Sequence, residues 1–111
     1  MECVKVQPNA TLMRIYVSES RRHAGEPVSE AIVRALADAS LAGVTVFKGI
    51  EGFGSHRRIS SADLVDAFVD LPILLEVVDD DAKIRAFVPV LESLMDDGLV
   101  TLERIEQRLT G

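Results

Sequence analysis

The sequence predicts one α+β domain of β-α-β-β-α-β order, and three observations carry that reading. Residues 12–17, 72–78 and 99–105 divide into two alternating faces as strands do. Two stretches, beginning at Pro27 and at Asp79, carry apolar residues at three- and four-residue spacing as amphipathic helices do. Between them lies a β-branched run, residues 44–50, that ends among Gly49, Gly52 and Gly54.

Residues 1–10, with Pro8 and Asn9, read as a flexible tail, and residues 11–111 as the single domain. In the first strand Met13, Ile15 and Val17 share one face, and Leu12, Arg14 and Tyr16 share the other. Residues 18–26 are polar and read as a loop; Pro27 suits a first helical position, where its missing N–H is no loss. Val28, Ile32, Leu36 and Ala39, with Ala31 and Ala35 beside them, form the stripe of the first helix, which Gly43 is expected to end as a left-handed cap. The second strand, 44–50, is expected to lose regular pairing at its glycines. Residues 55–70 show no strand period and read as a long loop, within which Ser60 or Ser61 could cap a short helical turn through Ala62, Leu64 and Val65.

Pro72 opens the third strand, with Ile73, Leu75 and Val77 facing one way and Leu74, Glu76 and Val78 the other. Asp79, Asp80 and Asp81 start the second helix, where carboxylates favour the free N–H groups and the positive end of the dipole. Its stripe is Ile84, Phe87, Val88, Leu91 and Met95, with Pro89 expected to kink it and Gly98 to end it. The last strand places Val100 and Leu102 on its inner face. This order is the ferredoxin-like arrangement, a four-stranded antiparallel sheet with both helices on one face. Leu12, Tyr16, Phe47, Leu74 and Val78 would then form an apolar patch on the uncovered face, and such a patch predicts self-association.

Composition narrows the function. The chain has 111 residues, 48% of them hydrophobic and 27% charged, which suits one ordered core. A formal charge of −6 argues against binding nucleic acid or an anionic membrane surface, since both need clustered excess cations. Cys3 is the only cysteine, so thiolate metal sites and intrachain disulfides are excluded and a reducing compartment fits. The N-terminus lacks the basic-then-apolar order of a signal peptide and no apolar run approaches the ~20 residues of a membrane span, so the expected location is cytoplasmic, without membrane insertion.

A family resemblance enters at the second strand. Gly43-Val44-Thr45-Val46 and then Gly49-Ile50-Glu51-Gly52-Phe53-Gly54 resemble the turn, strand and loop entry of the PII signalling superfamily, above all its branch described as a domain of unknown function. Ile15-Tyr16, Glu19, Gly25, Leu71-Pro72, the acidic start of the second helix and Gly98-Leu99-Val100 extend the similarity over roughly residues 12–105. The resemblance implies a homotrimer with sheets facing a common centre, adenine-nucleotide sites in the clefts between subunits, and a regulated protein partner, a membrane channel or transporter being one such partner. Two features depart from the PII pattern. Asp96-Asp97-Gly98-Leu99 is acidic where PII proteins have a glycine-rich, cation-bearing loop, and Tyr16 is the only tyrosine, so the loop tyrosine modified in some PII proteins has no counterpart.

Residues 49–58 are the strongest candidate site. Gly49, Gly52 and Gly54 let backbone N–H groups approach an anion, and Arg57 and Arg58, with His56 and Phe53 beside them, supply cations for phosphate. Arg21, Arg22 and His23 form a second basic cluster, able to share one phosphate chain with the first if the loops meet; the alternative for both is a solvated surface loop. The three consecutive aspartates are explained by the helix start, and no metal or cofactor is expected beyond an adenine-nucleotide ligand.

No nucleophile elbow, Walker loop or metallohydrolase helix motif is present, so the chain is read as a binding protein and not an enzyme. The principal expectation is a ligand-responsive signalling or regulatory protein. The alternatives are a structural or partner-binding trimer without small ligand and an acylphosphatase-like enzyme. That enzyme needs an amide to orient water, and the lone Asn9 precedes the first strand.

Overall fold

The computed structural model describes residues 4–52, 60–61 and 70–110. Four strands, β1 (Val4–Ser18), β4 (Thr45–Lys48), β7 (Pro72–Asp80) and β8 (Leu99–Thr110), form one antiparallel sheet in the order β4-β7-β1-β8. The connections contain β2 (Arg22–His23) paired with β3 (Glu26–Pro27), and β5 (Glu51–Gly52) paired with β6 (Ser60–Ser61). Helices α1 (Val28–Asp38) and α2 (Asp81–Leu94) cover one face, completing the ferredoxin-like fold.

The core follows from the two periodicities. Met13, Ile15 and Val17 on β1 and Ile73, Leu75 and Val77 on β7 alternate toward the helices, and Val28, Ile32, Leu36, Ile84, Phe87 and Leu91 meet them from above. Each of these larger side chains contributes about 2 kcal/mol by leaving water. Val100 and Leu102 extend this core on β8, half-buried as expected.

Local chemistry moved several boundaries. β1 begins at Val4, so residues read as a tail are paired with β8 from Val4 onward; the ladder shifts register between Gln7 and Ala10. The interruption spans Pro8 and Asn9, and a bulge is where a residue lacking its N–H is tolerated. The turn between β2 and β3 is Ala24-Gly25, both at positive φ (50° and 86°), a hairpin where a plain loop was expected. α1 ends at Asp38, not near Gly43. Ser40 takes the left-handed position (φ 61°), its N–H bonds to the Ala37 carbonyl and that of Leu41 to the Leu36 carbonyl, while Leu41 packs on the core beyond the helix. Ser60 and Ser61 pair with Gly52 and Glu51 as strand, so pairing resumes at the glycine-rich end; the helical turn expected at 62–65, which either serine was to cap, lies outside the described residues. α2 ends at Leu94, and Gly98 stands apart from its cap.

The aspartates at 79–81 are shared out differently from the expectation. β7 runs through Asp80, and neither Asp80 nor its neighbours cap α2 by a side-chain hydrogen bond. Buried Asp79 instead accepts from the N–H of Ala42 at 2.9 Å, fastening the exit of α1 to the start of α2, and from the N–H of Asp80 at 2.7 Å. Asp81 accepts from the hydroxyl of buried Thr11 at 2.6 Å and from Arg85 at 3.2 Å. The Thr11 hydrogen bond, aided by Arg85, holds the Asp81 carboxyl below the usual range.

That shift fixes a sign. With a folded pKa below the unfolded value of about 3.9, the Asp81 carboxylate favours folding at all pH above the unfolded value, and the contribution is lost as pH falls through the folded one. Urea unfolding from pH 6 downward should therefore show less acid loss of stability in Asp81→Asn than in wild type. Parallel pH curves would refute it.

Candidate functional site

One end of the sheet gathers three connections. From β1, the N–H of Glu19 bonds to the carbonyl of Leu71 at 2.8 Å, while Ser20 bonds to Asp70 through its N–H at 3.0 Å and its hydroxyl at 2.8 Å. From β4, Lys48 pairs with Glu19 at 2.7 Å and the N–H of Gly49 bonds to the Pro72 carbonyl at 2.7 Å. From the α2–β8 connection, Asp97 holds Arg21 in an ion pair. The base of the 53–69 connection, the turn after β1 and the loop before β8 are thus tied together within one chain.

The glycines at this base have a packing role. A Cβ on Gly49 would stand 2.6 Å from the Pro72 ring and one on Gly52 3.1 Å from it, so the stem leaving β4 closes over Pro72 at the start of β7. Gly98 makes a second close approach: a Cβ there would lie 2.7 Å from the Tyr16 carbonyl, at φ +147°. Beside it, Leu91, Glu92, Met95, Asp96, Asp97 and Val100 line a shallow groove of mixed apolar and acidic character.

The expected site residues are distributed as follows. Gly49 and Gly52 lie at the convergence, and Phe53, Gly54, His56, Arg57 and Arg58 lie outside the described residues. Arg21 reaches the convergence through Asp97. Arg22 is exposed on β2, and His23 is half-buried, opposite Glu26 in the small hairpin. Glu26 itself is bound by Arg34, which holds its carboxyl below the usual range. Sequence reading gave Glu19 only as part of the family resemblance and missed Lys48 and Asp70, charges whose pairing depends on tertiary contact. Around the convergence Glu19, Asp70, Asp96 and Asp97 offset the charges of Lys48 and Arg21.

The uncovered face carries three of the expected apolar residues, Phe47, Leu74 and Tyr16, in one row that Leu99 extends. Phe47 is opposite Leu74, Leu74 opposite Tyr16, and Tyr16 opposite Leu99, so the row crosses all four strands. Phe47 is 48% exposed and Leu99 57%. Beside it Arg14 is hydrogen-bonded to Glu76 at 3.1 Å and lies 3.6 Å from Glu103, and those carboxylates keep its guanidinium firmly protonated. Beyond that lie Val78 and Leu12, opposite each other.

Comparison with known proteins agrees with this architecture. Residues 10–107 match the model of the DUF190 family, described as "Uncharacterized ACR". A UPF0166 protein of Aquifex aeolicus is 32% identical over 95 residues, covering 86% of this chain and 90% of the relative. One of Methanocaldococcus jannaschii is 32% identical over 94 residues, covering 84% and 86%. Among solved structures, CPII, a nitrogen regulatory PII-like protein from Thiomonas intermedia K12, bound to ADP, AMP and bicarbonate, superposes with a TM-score of 0.60 at 17% identity, covering 95% of this chain and 91% of that one. At that identity the match establishes a shared PII-like fold. Among the described residues no helix is long and apolar enough to cross a membrane, and no group of His, Cys, Asp or Glu is placed to hold a metal ion.

Proposed function

We propose, on the premise that this chain belongs to the DUF190 family, that it is a PII-like regulatory binding protein. It assembles as a homotrimer through the uncovered sheet face and takes an adenine nucleotide or similar phosphorylated ligand in the clefts between subunits. The observation that carries the reading is the convergence of three connections at one end of the sheet. It is supported by the fold shared with a PII-like protein solved with ADP and AMP. Strand ends and loops on a rigid sheet are where such folds place ligands, because the scaffold holds them at little entropic cost.

In this reading Gly52 and Gly54 present backbone donors, Arg57 and Arg58 bind phosphate oxygens, and Arg21, anchored by Asp97, couples ligand occupancy to the loop before β8. A change in the 53–69 connection then passes to a regulated protein partner.

Isothermal titration with ATP, ADP, AMP and cyclic AMP tests it. Wild type should give saturable heat with at least one of them. Replacing Arg57 and Arg58 together with alanine should weaken binding at least tenfold, with about 1.4 kcal/mol lost, while trimer and melting temperature stay nearly unchanged. Absence of saturable heat with wild type refutes the nucleotide reading and leaves the partner-binding trimer. A double variant that binds as tightly as wild type places the site elsewhere.

A further inference from the structure

The order β4-β7-β1-β8 leaves β4 and β8 outermost, each paired on one side, and in an antiparallel ladder alternate residues turn their N–H and C=O groups to opposite neighbours. Two hydrogen bonds set the phase. The N–H of Gly49 bonds to the Pro72 carbonyl, so Thr45 and Phe47 also turn toward β7, and Val46 and Lys48 turn outward. The N–H of Glu19 bonds to the Leu71 carbonyl, so the odd residues of β1 turn toward β7 and Leu12, Arg14 and Tyr16 toward β8. Their partners Glu103, Thr101 and Leu99 face β1, which leaves Val100 and Leu102 turned outward.

β4 lacks the devices that keep such an edge from pairing. All four of its residues are exposed, Val46 and Phe47 each by 48% on opposite faces, and it has no proline, an unbroken register and one charge, Lys48. A bare apolar edge of this kind is a template for another strand. On β8, Glu103, Arg104, Glu106 and Arg108 guard the later part, whereas residues 99–102 carry no charge.

We propose that β4 of one copy adds to β8 of the next, continuing the sheet antiparallel from subunit to subunit. Keeping the covered and uncovered faces in line allows only registers two residues apart. One of them places Phe47 opposite Leu99, Val46 opposite Val100, Thr45 opposite Thr101 and Lys48 opposite Gly98. It matches apolar with apolar and threonine with threonine, and it brings the outward groups of Val46 and Val100 together as a hydrogen-bonded pair. No like charges are opposed: Lys48, paired with Glu19 in its own chain, comes next to Asp96 and Asp97, of which Arg21 pairs with Asp97. A slide of two residues one way sets Phe47 against Thr101 and Thr45 against Glu103; the other way carries Phe47 past the start of β8. The occupant is therefore a second copy, because the chain's own other edge supplies the complementary strand. Since two different edges meet, the contact is head-to-tail, and only a closed ring leaves no edge bare. The inference rests on the self-association part of the function proposed above and adds the strand edges to the uncovered face.

Cysteine crosslinking and sedimentation equilibrium test it. In a Cys3→Ser background, Thr45→Cys and Thr101→Cys together should give interchain disulfides under mild oxidation, and either alone should give none. Within one chain the two positions share a row, three strand spacings or about 14 Å apart, too far for a disulfide. Val46→Pro removes an outward N–H and should weaken assembly roughly tenfold, with circular dichroism and slow exchange of core amides as in wild type. Val46→Thr, which keeps that N–H, should assemble far more tightly than Val46→Pro. A monomeric wild type overturns both the assembly reading and the edge pairing. An assembled wild type overturns the edge pairing alone if the paired cysteines form no interchain disulfide, if either cysteine alone forms one, or if Val46→Pro leaves assembly unmoved.

Discussion

Gly98→Ala is expected to destabilise the protein by about 3 kcal/mol, more than its exposed position suggests. Two costs add. At φ +147° the backbone occupies a region an L side chain rarely adopts, and the new methyl would stand 2.7 Å from the Tyr16 carbonyl, a backbone atom that cannot move without disturbing β1. The 2.4 Å approach to Met95 Cε is the lesser problem, since a methionine end can swing aside. Urea denaturation of the variant should show a lower midpoint at unchanged slope. A loss under 1 kcal/mol would mean that the start of β8 relaxes freely, contrary to its close packing on β1.

The second large effect concerns assembly. Phe47→Asp puts a carboxylate at one end of the apolar row while leaving the monomer's core intact, because Phe47 belongs to the uncovered face. If that row is buried between copies, an unpaired charge there costs about 3 kcal/mol per contact, on the order of a hundredfold in association. Light scattering should report monomer at micromolar concentration, with circular dichroism unchanged. A variant that stays fully assembled would remove the sheet face from the interface.

The strands and helices were legible because their burial is periodic. Ile73, Leu75 and Val77 could face only one way once β7 alternated, and the row on the other face followed from the same arithmetic. Helix ends were less legible: Gly43 looked like the cap, yet Ser40 takes the left-handed position and lets Leu41 pack against the core just beyond it. The start of β1 was hidden by Pro8, which reads as a breaker where the strand accommodates it in a bulge. Of the candidate site, the glycines were visible and their reason was not. Gly49 and Gly52 suggest an anion cradle in sequence, and only the fold brings Pro72 against both. The charge pairs Glu19–Lys48 and Arg21–Asp97 join residues 29 and 76 positions apart, beyond the reach of any local pattern.

The clasp of Gly49 and Gly52 over Pro72 also bears on how this family can diversify. Because the β4 and β7 stems are locked by that ring and by the Gly49–Pro72 hydrogen bond, the register of the sheet is settled before the intervening connection is counted. Its length and content are then nearly free variables, each doubling costing only about 0.6 kcal/mol of closure entropy. One scaffold can exchange the whole segment and acquire a new specificity without relearning how to fold.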